Sequence, residues 1–287
     1  MPDAASILVT GATGTVGRHV AQGLAERDVP AVAATRRPDA ADLPLPAVRF
    51  DFEAPATYDA FDGIRQVFLV RPPALAAVWN SIFPALDAAA RAGVEHVVFL
   101  SLLGAEQNPF VPHRWIEWYL QRSGLDWTFL RPSFFMQNLA TTHRADLRDR
   151  GHIIVPAGRG RTSFVDARDV AAVGVRALTD DGHRQAAYAL TGAEALTYFE
   201  VAVLFSDILG RDVRYANPSV FDFVRHMRGQ GHPWPFVLVM TGIYLTARVG
   251  LAGTVTDDLE HVLGRPPTSM RTFIQDYRAR WTTESGD

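Results

Sequence analysis

The segment Thr10-Gly11-Ala12-Thr13-Gly14-Thr15-Val16-Gly17 follows directly on the apolar run Ile7-Leu8-Val9 and leads into a helical spacing of Val16, Val20 and Leu24. A strand, a glycine-rich turn and a helix, in that order, make a receptor for the pyrophosphate of a dinucleotide. Gly11 permits the tight turn, Gly14 lets the backbone approach the phosphates, and Gly17 allows close helix packing on the sheet. The helix N-terminus adds unpaired N–H groups and a partial positive charge. Gly11, Thr13, Gly14, Thr15, Val16 and Gly17 are therefore candidate cofactor contacts.

The rhythm set by this turn repeats. Ala31 to Ala34, Val48 to Phe50, Val67 to Val70, Val97 to Leu100 and Trp127 to Leu130 read as strands. Helical patterns at Leu75 to Ala92 and Pro112 to Arg122 separate the later ones, and Gly93 and Gly124 stand where left-handed caps belong. Continuous apolar strands alternating with helices predict an α/β fold: a Rossmann-type, doubly wound parallel sheet covered on both faces. After Arg131-Pro132 the pattern changes to a helix over 138–150, a strand at 153–155, a helix over 169–178 with Asp169 as its cap, and a strand at 188–190. A mainly helical remainder follows. This predicts a Rossmann domain over 1–134, completed by about 152–185, with a smaller, interleaved substrate lobe made of 135–151 and 186–287. The late apolar run Phe236 to Ala247 is too short for a membrane span, and the N-terminus lacks a secretory pattern.

The second strand ends in Thr35-Arg36-Arg37-Pro38. An acidic residue there binds the ribose 2′-hydroxyl of NAD, whereas arginine suits the 2′-phosphate of NADP. Arg36 and Arg37 thus point to NADP(H) in preference to NAD(H), against the alternative of a solvated loop pair. Asp51 is a candidate for the adenine amine or a surface carboxylate. Val70 and Arg71 close the fourth strand at the edge where open α/β sheets bind ligands.

Composition narrows the chemistry. The 287 residues contain no cysteine, and all 28 basic residues are arginine. Thiolate metal sites, Schiff-base lysines and Walker lysines are excluded. A net charge of −3 offers no basic field for nucleic acid. A cytoplasmic protein without metal, nucleic-acid or membrane partners is expected, monomeric or homodimeric.

The Thr10–Gly17 turn, Arg36, Phe99-Leu100-Ser101, and Trp127 to Pro132 with Asn138 together resemble a known family. So do Phe164-Val165-Asp166, Arg168-Asp169-Val170 and Gly264-Arg265-Pro266-Pro267. The chain is similar to the NmrA-like branch of the atypical short-chain dehydrogenase/reductases, which includes triphenylmethane reductases. The resemblance covers nearly the whole chain. It implies a Rossmann domain and a small C-terminal substrate lobe, with the active site between them. Nicotinamide and substrate contacts are implied at the end of the sixth strand: Pro132 and Phe134 for cofactor, and Phe134, Phe135, Met136 and Asn138 for substrate.

The chain departs from typical short-chain dehydrogenases at the Tyr-x-x-x-Lys pair, where His113 and Glu117 stand. Residues four apart share a helix face. His113 is the candidate general acid, Ser101 a hydrogen-bond donor to substrate and also a cofactor contact, and Glu117 the orienting carboxylate. The helix N-terminus disfavours the imidazolium and a neighbouring carboxylate favours it. The alternative is structural: His113 caps the helix or packs on Trp115, while Glu117 pairs with Arg114 at the surface. Among Phe221, Phe223, Met227, Trp234, Phe236 and Tyr244, some belong to core and some to a pocket for a planar hydrophobic molecule. His143 borders the cleft or is solvated.

Without the Tyr–Lys pair, quinones, dyes, enones and imines suit the site better than simple ketones, because their reduced products are delocalised. The leading expectation is an NAD(P)H-dependent reductase of a hydrophobic conjugated small molecule. The alternatives are an NADP(H)-sensing regulator acting on a protein partner, and a non-redox isomerase or cyclase.

Overall fold

The structure is a computed structural model that describes residues 6–40, 42–75 and 77–282. The chain forms two compact units. The first comprises Met1–Pro132, Ala167–Leu190 and Asp258–Arg265; the second comprises Ser133–Asp166, Thr191–Asp257 and Pro266–Asp287.

The first unit is built on seven parallel strands: β1 (Ile7–Val9), β2 (Ala31–Thr35), β3 (Ala47–Arg49), β4 (Gln66–Val70), β5 (His96–Leu100), β6 (Asp126–Pro132) and β7 (Ala186–Leu190). Their spatial order is β7-β6-β5-β4-β1-β2-β3. The order reverses between β1 and β4, the switch point beside which open sheets of this kind bind ligands. Helices α1 (Thr15–Ala25), α2 (Ile82–Ala92), α3 (Pro112–Leu120) and α4 (Ala167–Thr179) flank the sheet.

The strands are apolar on both faces because both are covered. Leu8, Val67, Leu69, Val97, Phe99 and Phe129 pack with Ile82 and Leu86 of α2 and Ile116 and Leu120 of α3. On the opposite face, a Cβ at Gly174 of α4 would meet the Phe68 ring at 2.8 Å, and one at Gly23 of α1 would meet Val175 at 3.0 Å. Each fully buried large side chain contributes about 1.5–3 kcal/mol relative to exposure.

Two expected helices differ. The one expected from Leu75 starts at Ile82, after a short 3-10 turn at Val78–Asn80. Pro84 is the reason: in the first turn its missing N–H costs nothing, but its ring would clash with a helical carbonyl at residue 80. The helix expected over 138–150 is a short Gln137–Ala140 turn and a π turn at Asp146–Arg150, closed by left-handed Gly151. Thr141 Oγ1 donates back to Gln137 O (3.0 Å), competing with continuation of the helix.

The units also divide differently from the expected 1–134, 152–185 and 186–287. Strand β7 belongs to the first unit because Tyr188 and Leu190 pair in register with Leu130 and Pro132. Residues 152–166 belong to the second. The late helix Asp258–Leu263 joins the first unit through Asp258 Oδ2, which accepts the Ala189 N–H (2.7 Å), and Val262 O, which accepts from Arg176 (2.6 Å). Helix α4 starts at Ala167, so Asp169 is a buried first-turn residue ion-paired to Arg265 (2.6 Å), and not the cap.

The second unit carries the helices Tyr198–Leu209, Val220–Gly229, Trp234–Arg248 and Met270–Asp276. Thr197 and Glu200 form a capping box on the first of these, and Ser269 caps the last. Three two-residue ladders complete it: Phe134–Phe135 with Phe164–Val165, Arg161–Thr162 with Leu196–Thr197, and His152–Ile153 with Arg214–Tyr215. Its core gathers Tyr198, Phe205, Phe223, Tyr244, Phe273 and Trp281. Of the aromatic residues left between core and pocket, Phe223 and Tyr244 are core, while Phe221 and Trp234 are exposed. Among the described residues, no helix is long and apolar enough to cross a membrane.

Candidate dinucleotide site

The turn from β1 to α1 lies at the sheet's switch point. Thr10 ties it down: its N–H and Oγ1 both donate to Phe68 O (2.9 and 3.0 Å), and Oγ1 accepts the Val70 N–H (2.8 Å). Gly11 has φ +63°, and a Cβ there would lie 2.8 Å from Val70 Cβ. Gly14 N donates to Gly11 O (2.8 Å). Gly17 serves the turn more than the sheet, since its Cβ would stand 2.2 Å from Gly11 O. Thr13, Gly14 and Thr15 are exposed. Arg18 N is the first helical amide to reach a carbonyl one turn back (Gly14 O, 3.0 Å). The amides of Thr15, Val16 and Gly17 therefore have no helical acceptor, and α1 has neither a side-chain cap nor an acidic residue in its first turn. This cradle fits the pyrophosphate of a dinucleotide: donors are unpaired, the glycines leave room, and the helix end favours negative charge.

At the end of β2, Arg36 and Arg37 are exposed, and neither guanidinium has a partner among the described residues. Asp51 is half-buried, and its Oδ1 accepts the Glu53 N–H (3.0 Å) in a local turn. Val70 walls the glycine turn. Arg71 differs from Arg36: its Nη1 is committed to the carbonyls of Pro72, Pro73 and Leu75 (2.8, 3.2 and 3.0 Å). Its buried Nε has no partner among the described residues, and burial pulls its pKa below the ordinary arginine value.

Ser101, just past β5, is anchored by its N–H on Leu130 O (2.8 Å). Its Oγ donates to Glu117 Oε1 (2.6 Å). Glu117, 1% exposed, also accepts Arg131 Nε (3.0 Å) and Nη2 (2.7 Å), a bidentate pair. Glu106 adds a second carboxylate 3.4 Å from Arg131 Nη1. Burial lowers the Arg131 pKa, but the hydrogen bond and charge of Glu117, with Glu106 behind them, outweigh it and raise the value.

Three expectations are corrected here. Glu117 is neither a surface partner of Arg114 nor the orienter of His113; it is the buried acceptor for Ser101 and Arg131. Ser101 spends its one hydroxyl proton on Glu117 and has none for a substrate. His113 stacks on Phe99 (centroids 5.9 Å apart, 24° between planes), not on Trp115, which faces solvent. Burial first, and Arg71 second, push its imidazole down to about 3, so it is neutral at pH 7 and no imidazolium acid. Its Nδ1 is buried without a partner among the described residues.

In the first unit, Pro132 is buried, and its carbonyl accepts the Leu103 N–H (2.9 Å). In the second, Phe134, Phe135 and Asn138 are half-buried, whereas Met136 is 2% exposed in the core and thus a packing residue. Gln137, in the segment read as following the sixth strand but given no role of its own, is buried and donates to Asp166 Oδ1 (2.7 Å). His143 is also buried, with its Nε2 against the Tyr244 hydroxyl and its pKa pushed down to about 4 by burial.

A family model described as NAD(P)H-binding matches residues 11–181. The NAD(P)H azoreductase of Xenophilus azovorans is 37% identical over 285 residues, 95% of this chain and 98% of that protein. Among solved structures, the triphenylmethane reductase of Citrobacter sp. complexed with NADP(H) superposes with a TM-score of 0.84 at 25% identity, covering 95% of this chain and 99% of that one. The NADPH-dependent quinone oxidoreductase of Escherichia coli complexed with NADPH gives a TM-score of 0.85 at 25% identity, covering 94% and 99%.

Proposed function

The chain belongs to the NAD(P)H-binding family, in its NmrA-like, atypical short-chain dehydrogenase/reductase branch, and from that premise we propose an NADPH-dependent reductase of quinones or dyes. The cradle at the start of α1 carries the reading, because its unpaired amides and glycines suit a pyrophosphate and little else. The relatives named for azo, triphenylmethane and quinone substrates support the acceptor class.

Bound NADPH supplies a hydride. The chain's own part is binding, orientation and charge. The α1 amides hold the pyrophosphate, Gly11 and Val70 shape the wall beside it, and Arg36 with Arg37 grips the 2′-phosphate. Asp51 retains one carboxylate oxygen for the adenine amine, and Pro132 contributes an apolar contact to the nicotinamide half. The Ser101–Glu117–Arg131 network positions the ends of β5 and β6 rigidly and moves no proton. His113 is held as a neutral imidazole against Phe99 and supplies no proton. A delocalised acceptor takes hydride and then a proton from solvent, which removes the need for a Tyr–Lys pair. Phe134, Phe135 and Asn138 are assigned to acceptor contacts.

Calorimetric titration with NADPH and NADH tests the reading, followed by nicotinamide absorbance with a panel of quinones and dyes. Each lost charge-assisted hydrogen bond is worth about 1.5–3 kcal/mol. Arg36→Ala alone should therefore weaken NADPH binding roughly 10–100-fold and leave NADH unchanged. Tight binding with no acceptor-dependent oxidation would refute the reductase.

A further inference from the structure

The second unit holds an open cavity of about 710 Å³ lined by three arginines, Arg159, Arg161 and Arg248, and, among the described residues, by no carboxylate. We propose that this cavity is a binding site for an organic oxyanion, a phosphate or sulfonate group carried on a small-molecule body. The inference does not depend on the reductase reading.

Two chain segments build the site. Arg159 and Arg161 lie in the loop after Ala157, while Arg248 ends the helix Trp234–Arg248. Gly160 lets the segments meet backbone to backbone: a Cβ there would fall 1.8 Å from Ala247 O. Arg161 is held in place by Ala195 O (2.5 Å) and by Glu200 Oε1 (3.0 Å), which offsets its charge. Arg159 is exposed with no partner among the described residues, and Arg248 has only a long contact to Pro156 O (3.4 Å). Arg159 and Arg248 thus line the cavity with no carboxylate partner among the described residues, beside a third arginine that is fixed. The helix C-terminus accounts for an arginine at 248, but not for Arg159 and Arg161 on a separate segment brought against it. Planar guanidiniums match the paired oxygens of phosphate and sulfonate. The volume exceeds what a bare anion fills and lies in the range of drug-sized ligands.

The test compares wild type with Arg159→Gln/Arg248→Gln. Inorganic phosphate is titrated by calorimetry; the α1 cradle is intact in both proteins, so any difference belongs to this cavity. Phosphate affinity should fall tenfold or more in the double variant, and Arg159→Lys/Arg248→Lys should recover part of it, showing that charge and not folding is responsible. A sulfonated azo dye and its uncharged parent then identify the source of the anion. If the acceptor carries it, the double variant raises KM for the sulfonated dye alone, with kcat unchanged. If the anion is a separate ligand, phosphate binding is lost while both dyes react as before. Equal phosphate affinity in wild type and the Gln variant overturns the proposal.

Discussion

Glu117 shows how a side chain's partners escape a one-dimensional reading. Its spacing to His113 suggested a pair on one helix face, yet its oxygens reach Ser101 on β5's end and Arg131 on β6. Those partners lie 16 and 14 residues away, and only the sheet register brings them together. The glycine turn, by contrast, was legible because backbone conformation dictates it locally. Removing one member of a buried ion pair leaves the other uncompensated and costs about 3–5 kcal/mol. Glu117→Ala should lose most of that range in urea unfolding, moderated by Glu106, and Glu117→Gln should lose less because it keeps the shape and one acceptor. An unchanged unfolding midpoint in Glu117→Ala would show that the network contributes nothing to the fold.

At the scale of elements, six of the seven strands of the large sheet and helix α1 follow from apolar runs and 3.6-residue spacing; so does β7, whose membership of the sheet does not. Nothing at Tyr188 to Leu190 reveals that its neighbour is β6. Helix starts were legible only where a proline or cap was weighed, and Pro84 was not. The joint between β1 and α1 is the element on which binding turns. Gly17→Ala would drive a methyl group to 2.2 Å from the Gly11 carbonyl oxygen, so the helix must shift or the turn open. Overpacking of this kind costs about 1–3 kcal/mol. The variant should unfold at lower temperature and bind NADPH at least tenfold more weakly by calorimetry; wild-type affinity in this variant would contradict the cradle.

For the whole molecule, three buried histidines set the response to acid. His96 in the sheet, 2% exposed between Gln66 and Thr128, is held at about 4, chiefly by burial and then by Arg184. His113 stands at about 3 and His143 at about 4. Each is depressed below the unfolded value of about 6.5, so the unfolded chain binds more protons at acidic pH. Stability is then full above about pH 6.5 and falls steadily toward pH 4. At roughly 1.4 kcal/mol per pKa unit per group, the combined loss is several kcal/mol. Urea midpoints at pH 8, 6 and 5 should decline in that order, and equal midpoints at pH 8 and 5 would mean these rings are not buried as neutral groups. The chain passes from one unit to the other after residues 132, 166, 190, 257 and 265. During synthesis the first unit therefore cannot add its edge strand until residue 190 has left the ribosome, nor its last helix until residue 265. Most of the second unit emerges in that interval, so neither half can be finished, cut out or expressed as one continuous stretch.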